Sequence, residues 1–139
     1  MAFQINKPIG TDAGIIDGAY IRIGGYNINK NGDVVFIIDI FKDKKSTEVE
    51  TSYVPVIHPN KLKSSEIGIS LDVKMTTKVK YTKIITKQVD GVDTEIEEEF
   101  TKTVSDLSAF ESKTIFEVGY EKLGEKLATL FGQENIEIV

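Results

Sequence analysis

The feature that most constrains the fold is a long alternation of side chains on either side of Asp90-Gly91. From Ile67 to Val89 apolar residues recur at odd positions, which is the period-two pattern of a strand with one buried face. Asp90-Gly91 favours a type I′ turn because both residues tolerate a positive φ angle. The turn predicts a hairpin whose register places three apolar pairs and one ion pair on one face: Val89 with Val92, Ile85 with Ile96, Tyr81 with Phe100, and Lys83 with Glu98.

This hairpin is too long to lie wholly within a body of the expected size. An unbroken strand from Ile67 to Val89 would span roughly 75 Å, whereas a domain of this length has a radius of gyration of about 14 Å. We therefore expect the strand to bend at Thr76-Thr77, or its far end to leave the body. Charged residues dilute the apolar face beyond Met75. This favours a single domain over residues 1–139 with residues 76–104 as a projecting hairpin arm.

The two strands of the arm carry opposite charges. The outgoing strand is basic and the return strand is acidic, with Lys78, Lys80, Lys83 and Lys87 followed by Glu95, Glu97, Glu98 and Glu99. Because a two-stranded ribbon is marginally stable alone, we expect these eight residues to contact a neighbouring surface. The alternative is a mobile surface hairpin without a partner. Glu95, Glu97 and Glu99 share one face and could bind a cation weakly, but a solvated, charge-paired face is favoured.

The rest of the chain predicts an α+β, β-rich fold. Strands are expected at residues 3–5, 15–28, 34–41, 49–58 and 135–139, with Gly24-Gly25 marking a bulge or a close backbone approach and Pro55 an edge or a bulge. The segment 34–41 is apolar on both faces, so we place it in the middle of a sheet covered from both sides. Asp39 within it is expected at a bulge or paired with Arg22 or a backbone donor; the functional alternative is a carboxylate with a shifted pKa.

A helix is predicted near the C-terminus. Thr114 and Glu117 form a capping box, Gly132 is a stop signal, and Gly119 and Gly124 would permit close packing against a strand. The apolar stripe comprises Phe116, Tyr120, Leu123, Leu127, Leu130 and Phe131. The expected architecture is a twisted antiparallel sandwich or small barrel with a long protruding hairpin and one C-terminal covering helix.

No catalytic, cofactor-binding or metal-binding residues are predicted, and we expect no enzyme. Cysteine is absent, His58 is the single histidine, and neither a G-x-S-x-G elbow nor a phosphate-binding glycine loop is present. The net charge of -5 argues against general nucleic-acid binding. No segment resembles a signal peptide or a membrane span, so synthesis in the cytoplasm and no membrane partner are expected.

Two non-enzymatic functions therefore remain. The favoured one is a structural or assembly subunit whose arm contacts further copies in a homo-oligomeric ring and other structural subunits. The other is a binding module for a protein or glycan ligand, for which an exposed aromatic cluster would be expected.

Both ends of the chain resemble small virion proteins of tailed bacteriophages. The resemblance is carried by MAFQINKPIG, GAYIRIGGYNINKNGDVVFIIDIFKDKKS and TIFEVGYEKLGEKLATLFGQENIEIV, and does not cover the arm. It rests on a strand with Tyr-x-Arg-Ile, a hairpin into a strand ending in Lys-Asp, and a closing helix with an Asn-Ile tail: Tyr20, Arg22, Ile23, Lys42, Asp43, Tyr120, Leu123, Asn135 and Ile136. The resemblance implies a tail, baseplate or neck component without catalytic residues.

Overall fold

The structure is a computed structural model, and it describes residues 1–48, 58–68 and 70–139. The strands in these residues are β1 (Phe3–Ile5), β2 (Ile9–Thr11), β3 (Gly14–Ile16), β4 (Ala19–Ile28), β5 (Asp33–Phe41), β6 (Ser70–Lys74), β7 (Thr76–Val89), β8 (Val92–Ser105) and β9 (Ile136–Ile138). One α-helix, α1, spans Ile115–Phe131, and short 3₁₀ helices cover Lys45–Thr47, Ser108–Phe110 and Gln133–Asn135. The strand predicted at 49–58, with Pro55, falls almost wholly outside the described residues.

Five strands form one antiparallel sheet in the order β6-β5-β4-β1-β9. The C-terminal strand β9 pairs with β1, which confirms the short final strand predicted from the tail. Two further antiparallel pairs, β2 with β3 and β7 with β8, complete the described strands. The predicted β-rich α+β fold with a long hairpin and one C-terminal helix is confirmed.

Helix α1 packs on the sheet, and its glycines set the distance between the two layers. A Cβ atom at Gly119 would lie 2.6 Å from the Phe36 ring and 2.7 Å from the Ile23 side chain. A Cβ at Gly124 would lie 3.2 Å from the Phe3 ring. The predicted role of both glycines in close packing is therefore confirmed. The core around this contact is apolar and includes Ile5, Ile21, Val34, Phe36, Val118, Leu123 and Leu127.

The ends of α1 were predicted correctly, but its buried stripe was only partly right. The Thr114 hydroxyl accepts a hydrogen bond from the Glu117 N–H at 3.2 Å, and Gly132 ends the helix with a φ of 88°. Leu123, Leu127 and Phe131 are buried as expected, whereas Phe116 and Leu130 are each 43% exposed. Gly119 faces the sheet, because a residue without a side chain lets α1 approach the sheet most closely. Phe116 is consequently displaced to the flank.

A bulge in β4 explains Gly24-Gly25 and the buried Asp39. The pairing of β4 with β5 shifts between Ile23 and Gly25, so Gly24 is the additional residue. The Asp39 carboxylate occupies the space above Gly24, since a Cβ there would lie 2.2 Å from Oδ2. Both sequence alternatives, a bulge and a close approach, are thus confirmed. The Ile23 N–H beside the bulge donates to the Tyr120 hydroxyl of α1 at 3.1 Å.

Strand β5 lies inside the sheet, as predicted, between β4 and β6. Its face with Val34, Phe36, Ile38 and Ile40 is buried. The prediction that both faces are covered fails at Ile37, which is 39% exposed. The second face is covered at its other end, where the Phe41 ring meets His58 edge-on with centroids 4.9 Å apart. The two faces therefore differ, although both read as apolar in the sequence.

Candidate functional site

The hairpin arm has the turn and the register that its sequence predicts. Asp90 and Gly91 adopt φ angles of 53° and 77°, as a type I′ turn requires. The observed pairs include Val89 with Val92, Ile85 with Ile96, Tyr81 with Phe100 and Lys83 with Glu98. The break from β6 occurs at Met75, one residue before the predicted bend. Turn chemistry and alternation were therefore sufficient to fix this element.

The arm buries none of its residues, because every position from Thr76 to Ser105 is exposed or half-buried. Each 14-residue strand spans roughly 46 Å at ~3.3 Å per residue. The observed exposure agrees with a projecting arm, although the single-domain organisation with a projection stays a prediction. The contacts that join the arm to the sheet cluster at its root: the Met75 N–H donates to Gly32 O at 3.2 Å, and the Thr76 hydroxyl donates to Asn31 O at 3.2 Å.

One side of the arm, its apolar face, consists of the odd positions of β7 and the even positions of β8. Its centre is a stacked ring pair, Tyr81 and Phe100, with centroids 5.8 Å apart and ring planes 28° apart. Tyr81 remains 39% exposed despite this contact. The Lys102 ammonium lies 5.3 Å from the Tyr81 ring centre, a cation–π distance. The arm thus has a solvent-exposed apolar face with an aromatic centre.

Five of the eight predicted site residues lie on the opposite side, the polar face of the arm. The lysines and the glutamates of this face lie at different positions along the arm, and they are not directly opposite each other on the two strands. Lys78 and Lys80 lie toward the root opposite Thr103 and Thr101, whereas the glutamates lie toward the tip: Glu95 opposite Thr86, Glu97 opposite Ile84 and Glu99 opposite Thr82. The Lys80–Glu99 pair, at 3.3 Å, is diagonal. The polar face is therefore basic at its root and acidic toward its tip.

The other three predicted site residues lie on the apolar face. Lys83 is directly opposite Glu98, but the ion pair that forms is Lys87 with Glu98, at 3.7 Å. An exposed pair of this kind stabilises a protein by only about 0–1 kcal/mol. These charges therefore contribute little to folding.

A second candidate surface is the groove between α1 and the edge of the sheet, here called the α1–β9 groove. It has a volume of about 960 Å³, and its apolar lining includes Phe3, Phe116, Tyr120, Ile136 and Ile138. The Phe3 and Tyr120 rings have centroids 6.2 Å apart, and Phe116 meets Tyr26 edge-on at 5.7 Å. Ile138 is 67% exposed. Large apolar surfaces rimmed by polar residues commonly mark sites of interaction.

The rim of the α1–β9 groove is charged, and one ion pair lies on it. Lys113 donates to the Glu121 carboxylate, and this hydrogen bond raises the pKa of Lys113 and lowers the pKa of Glu121. Glu117 and Glu137 also line the groove. The charged side chains among its described lining residues are thus three carboxylates and one ammonium.

The remaining candidate residues have structural partners. The Asp39 carboxylate lies 2.8 Å from Lys61 Nζ and 3.9 Å from Arg22 Nε, so the predicted pairing with Arg22 is present and Lys61 is an additional partner. His58 Nε2 is 2.8 Å from the Thr47 carbonyl oxygen, and Nδ1 accepts from the Asn60 N–H at 3.2 Å. Both ring nitrogens of His58 therefore have backbone partners.

Among residues 1–48, 58–68 and 70–139, no group of three or more histidine, aspartate or glutamate residues is arranged to hold a metal ion. No helix within these residues is long and apolar enough to cross a membrane.

The sequence identified the arm but missed the α1–β9 groove. Phe116 and Tyr120 were assigned to a buried stripe because their spacing is helical. Finding the groove requires knowing that α1 turns Gly119 toward Phe36, and that contact joins residues far apart in the chain. A comparison of the chain with known protein families, curated proteins and solved structures found no match.

Proposed function

We propose that the protein is a non-enzymatic structural subunit of a multi-copy complex, and that the hairpin arm makes its inter-subunit contacts. The proposed partners are further copies in a ring and other structural subunits. The resemblance of both chain ends to small virion proteins of tailed bacteriophages suggests a tail, baseplate or neck component. Such a protein would be made in the host cytoplasm and then become part of the virion.

The observation that carries the proposal is the exposure of the whole arm. A two-stranded ribbon with 14-residue strands is at best marginally stable in water by itself. This one also exposes an apolar face with a stacked Tyr81–Phe100 pair. Exposed aromatic anchors of this kind dominate the energy of many protein interfaces. Burial of this face in a neighbouring subunit would stabilise both the arm and the complex.

The test is the solution mass of the wild type and of a shortened variant, measured by light scattering coupled to size-exclusion chromatography. In the variant, residues 80–101 are replaced by Asn-Gly, so that Val79 and Lys102, a directly opposed pair on the same face as Val89 and Val92, flank the new turn as a two-residue turn requires. We expect a discrete oligomer for the wild type and a folded monomer for the variant. A monomeric wild type whose mass the shortening leaves unchanged would contradict assembly through the arm.

A point variant separates the apolar face from the arm as a whole. Tyr81→Ser with Phe100→Ser removes the stacked rings and should also dissociate the oligomer. Ile84→Ser is the matched control, because Ile84 is apolar and 67% exposed but lies on the polar face. This control should retain the wild-type mass.

The second candidate function is recognition of a protein or glycan ligand, and the same aromatic pair favours it. Stacked rings at a surface can pack against the apolar face of a sugar ring or an aromatic side chain. A monomeric wild type whose Tyr81 fluorescence changes on titration with oligosaccharides would support this function. The Phe100→Ser variant, which keeps the Tyr81 fluorophore but removes the ring stacked on it, should then lose the response.

A further inference from the structure

The apolar face of the arm and the α1–β9 groove have complementary chemistry. The arm presents exposed apolar side chains, Val79, Tyr81, Val89 and Val92, on the same face as the half-buried Phe100. The groove is concave and apolar, and aromatic rings contribute to its lining. One chain therefore carries both the exposed apolar face of the arm and the open, apolar α1–β9 groove.

Their charges are also opposite. The apolar face of the arm carries three lysines, Lys83, Lys87 and Lys102, and one carboxylate, Glu98, which is a net charge of +2. The groove is lined by three glutamates, at 117, 121 and 137, and by Lys113, which is a net charge of -2 for these side chains. Opposite potentials steer association and fix the orientation of docking.

The position of the two surfaces favours a contact between copies rather than within one. The arm continues from β6, which is one edge of the five-stranded sheet, and the groove lies at β9, the other edge. Four strand spacings separate these edges, roughly 19 Å at ~4.8 Å per spacing. The contacts at the root further tie the arm to the loop at Asn31 and Gly32.

We infer that the apolar face of the arm of one copy seats in the α1–β9 groove of the next copy. This inference rests on the proposed function and adds the receiving surface to it. Tyr81 and Phe100 would be the anchors against Phe116 and Ile138, while Lys83 and Lys87 would face Glu117 and Glu137. Since arm and groove are different surfaces, the contact closes as a reciprocal dimer or a larger ring, or continues as an open filament.

Charge reversal at these exposed positions tests the contact. Lys83→Glu with Lys87→Glu gives an acidic arm, and Glu117→Lys with Glu137→Lys gives a basic groove. Each double variant alone should raise the dissociation constant of the assembly about tenfold or more, because like charges then face each other. An equimolar mixture should regain the assembly, since each acidic arm meets a basic groove and each basic arm meets an acidic groove. The mixed assembly should alternate the two variants.

The matched control is Lys44→Glu with Lys45→Glu, which makes the same change in net charge at exposed positions outside both the arm and the groove and should leave the mass unchanged. Circular dichroism verifies the fold of every variant, and recovery of assembly in the mixture itself requires folded partners. If shortening the arm dissociates the oligomer but the groove variant keeps it, the groove is not the receiving surface and the proposed function stands. If the wild type is monomeric and shortening the arm has no effect, assembly through the arm fails and the groove contact fails with it.

Discussion

At the residue scale, the buried Asp39 shows how the fold accommodates a charge in its sheet. Ionised carboxylates are rarely buried without partners, because removing them from water is costly. Here Lys61 approaches to 2.8 Å and Arg22 to 3.9 Å. The bulge at Gly24 provides the room, since only a residue without a Cβ leaves space for the carboxylate. One glycine and two cations therefore make Asp39 compatible with β5.

Replacing Gly24 with alanine should destabilise the fold. The new Cβ would lie 2.2 Å from Asp39 Oδ2, so the carboxylate must move away from Lys61. Overpacking of this kind destabilises a fold by about 1–3 kcal/mol, and we expect a loss in that range. Chemical denaturation of the variant and the wild type measures it.

Gly25→Ala is the control for this prediction. A Cβ at Gly25 meets only the end of the Ile37 side chain, at 3.8 Å, which is an ordinary contact. It should change the free energy of unfolding by about 0.5 kcal/mol or less. Equal losses for the two variants would show that the Asp39 contact is not responsible.

At the element scale, the root of the arm is a set of hydrogen bonds between the sheet and the hairpin. The Asp106 N–H donates to the Met75 carbonyl at 2.8 Å, which joins the end of the return strand to the start of the outgoing one. The Asp106 carboxylate accepts from the Ser108 N–H at 3.1 Å. The Ser108 hydroxyl, and then its N–H, lower the pKa of Asp106 from its ordinary value of 3.8. The ionised form therefore stabilises the root.

This lowered pKa predicts a specific dependence of stability on pH. A carboxylate whose folded pKa lies below its unfolded pKa stabilises the fold above the unfolded value, and this stabilisation is lost as the pH falls through the folded value. Wild type should exceed Asp106→Asn in melting temperature at neutral pH, and the difference should shrink between pH about 5 and about 2. Ser108→Ala should reduce the same difference. A gap between wild type and Asp106→Asn that is constant with pH would contradict the assignment.

The hairpin and the ends of α1 could be predicted from the sequence, whereas the exposed faces of the elements could not. The hairpin register follows from local chemistry, because Asp90-Gly91 selects the turn and the turn then pairs Tyr81 with Phe100. The ends of α1 follow from Thr114 and Gly132 for the same reason. The exposed position of Phe116 does not follow, because it depends on the contact of Gly119 with Phe36. Local signals fixed the elements, and contacts distant in sequence decided which faces were left open.

At the scale of the whole molecule, the buried core and the exposed apolar face of the arm are separate regions. The core is formed by the five-stranded sheet and α1, with buried residues such as Ile21, Phe36 and Leu127. The arm contributes no buried residue. The exposed apolar side chains of the arm therefore lie outside the core. Removing them should not unfold the five-stranded sheet and α1. Such an arrangement permits an arm that gains its order from a partner.

Amide hydrogen exchange measures where in the chain the arm gains order on assembly. Protection in a free subunit should follow the core, so amides of β4 and β5 should exchange only on global unfolding, while those of residues 82–101 should exchange by local opening. In the proposed oligomer the arm amides should become protected by about tenfold or more, as partner contacts suppress opening. The Glu117→Lys, Glu137→Lys variant supplies the dissociated subunit, and the amides of β4 and β5 supply the internal reference. Equal arm protection in the oligomer and in the dissociated variant would mean that the arm is a free surface hairpin, and assembly would have to use another surface.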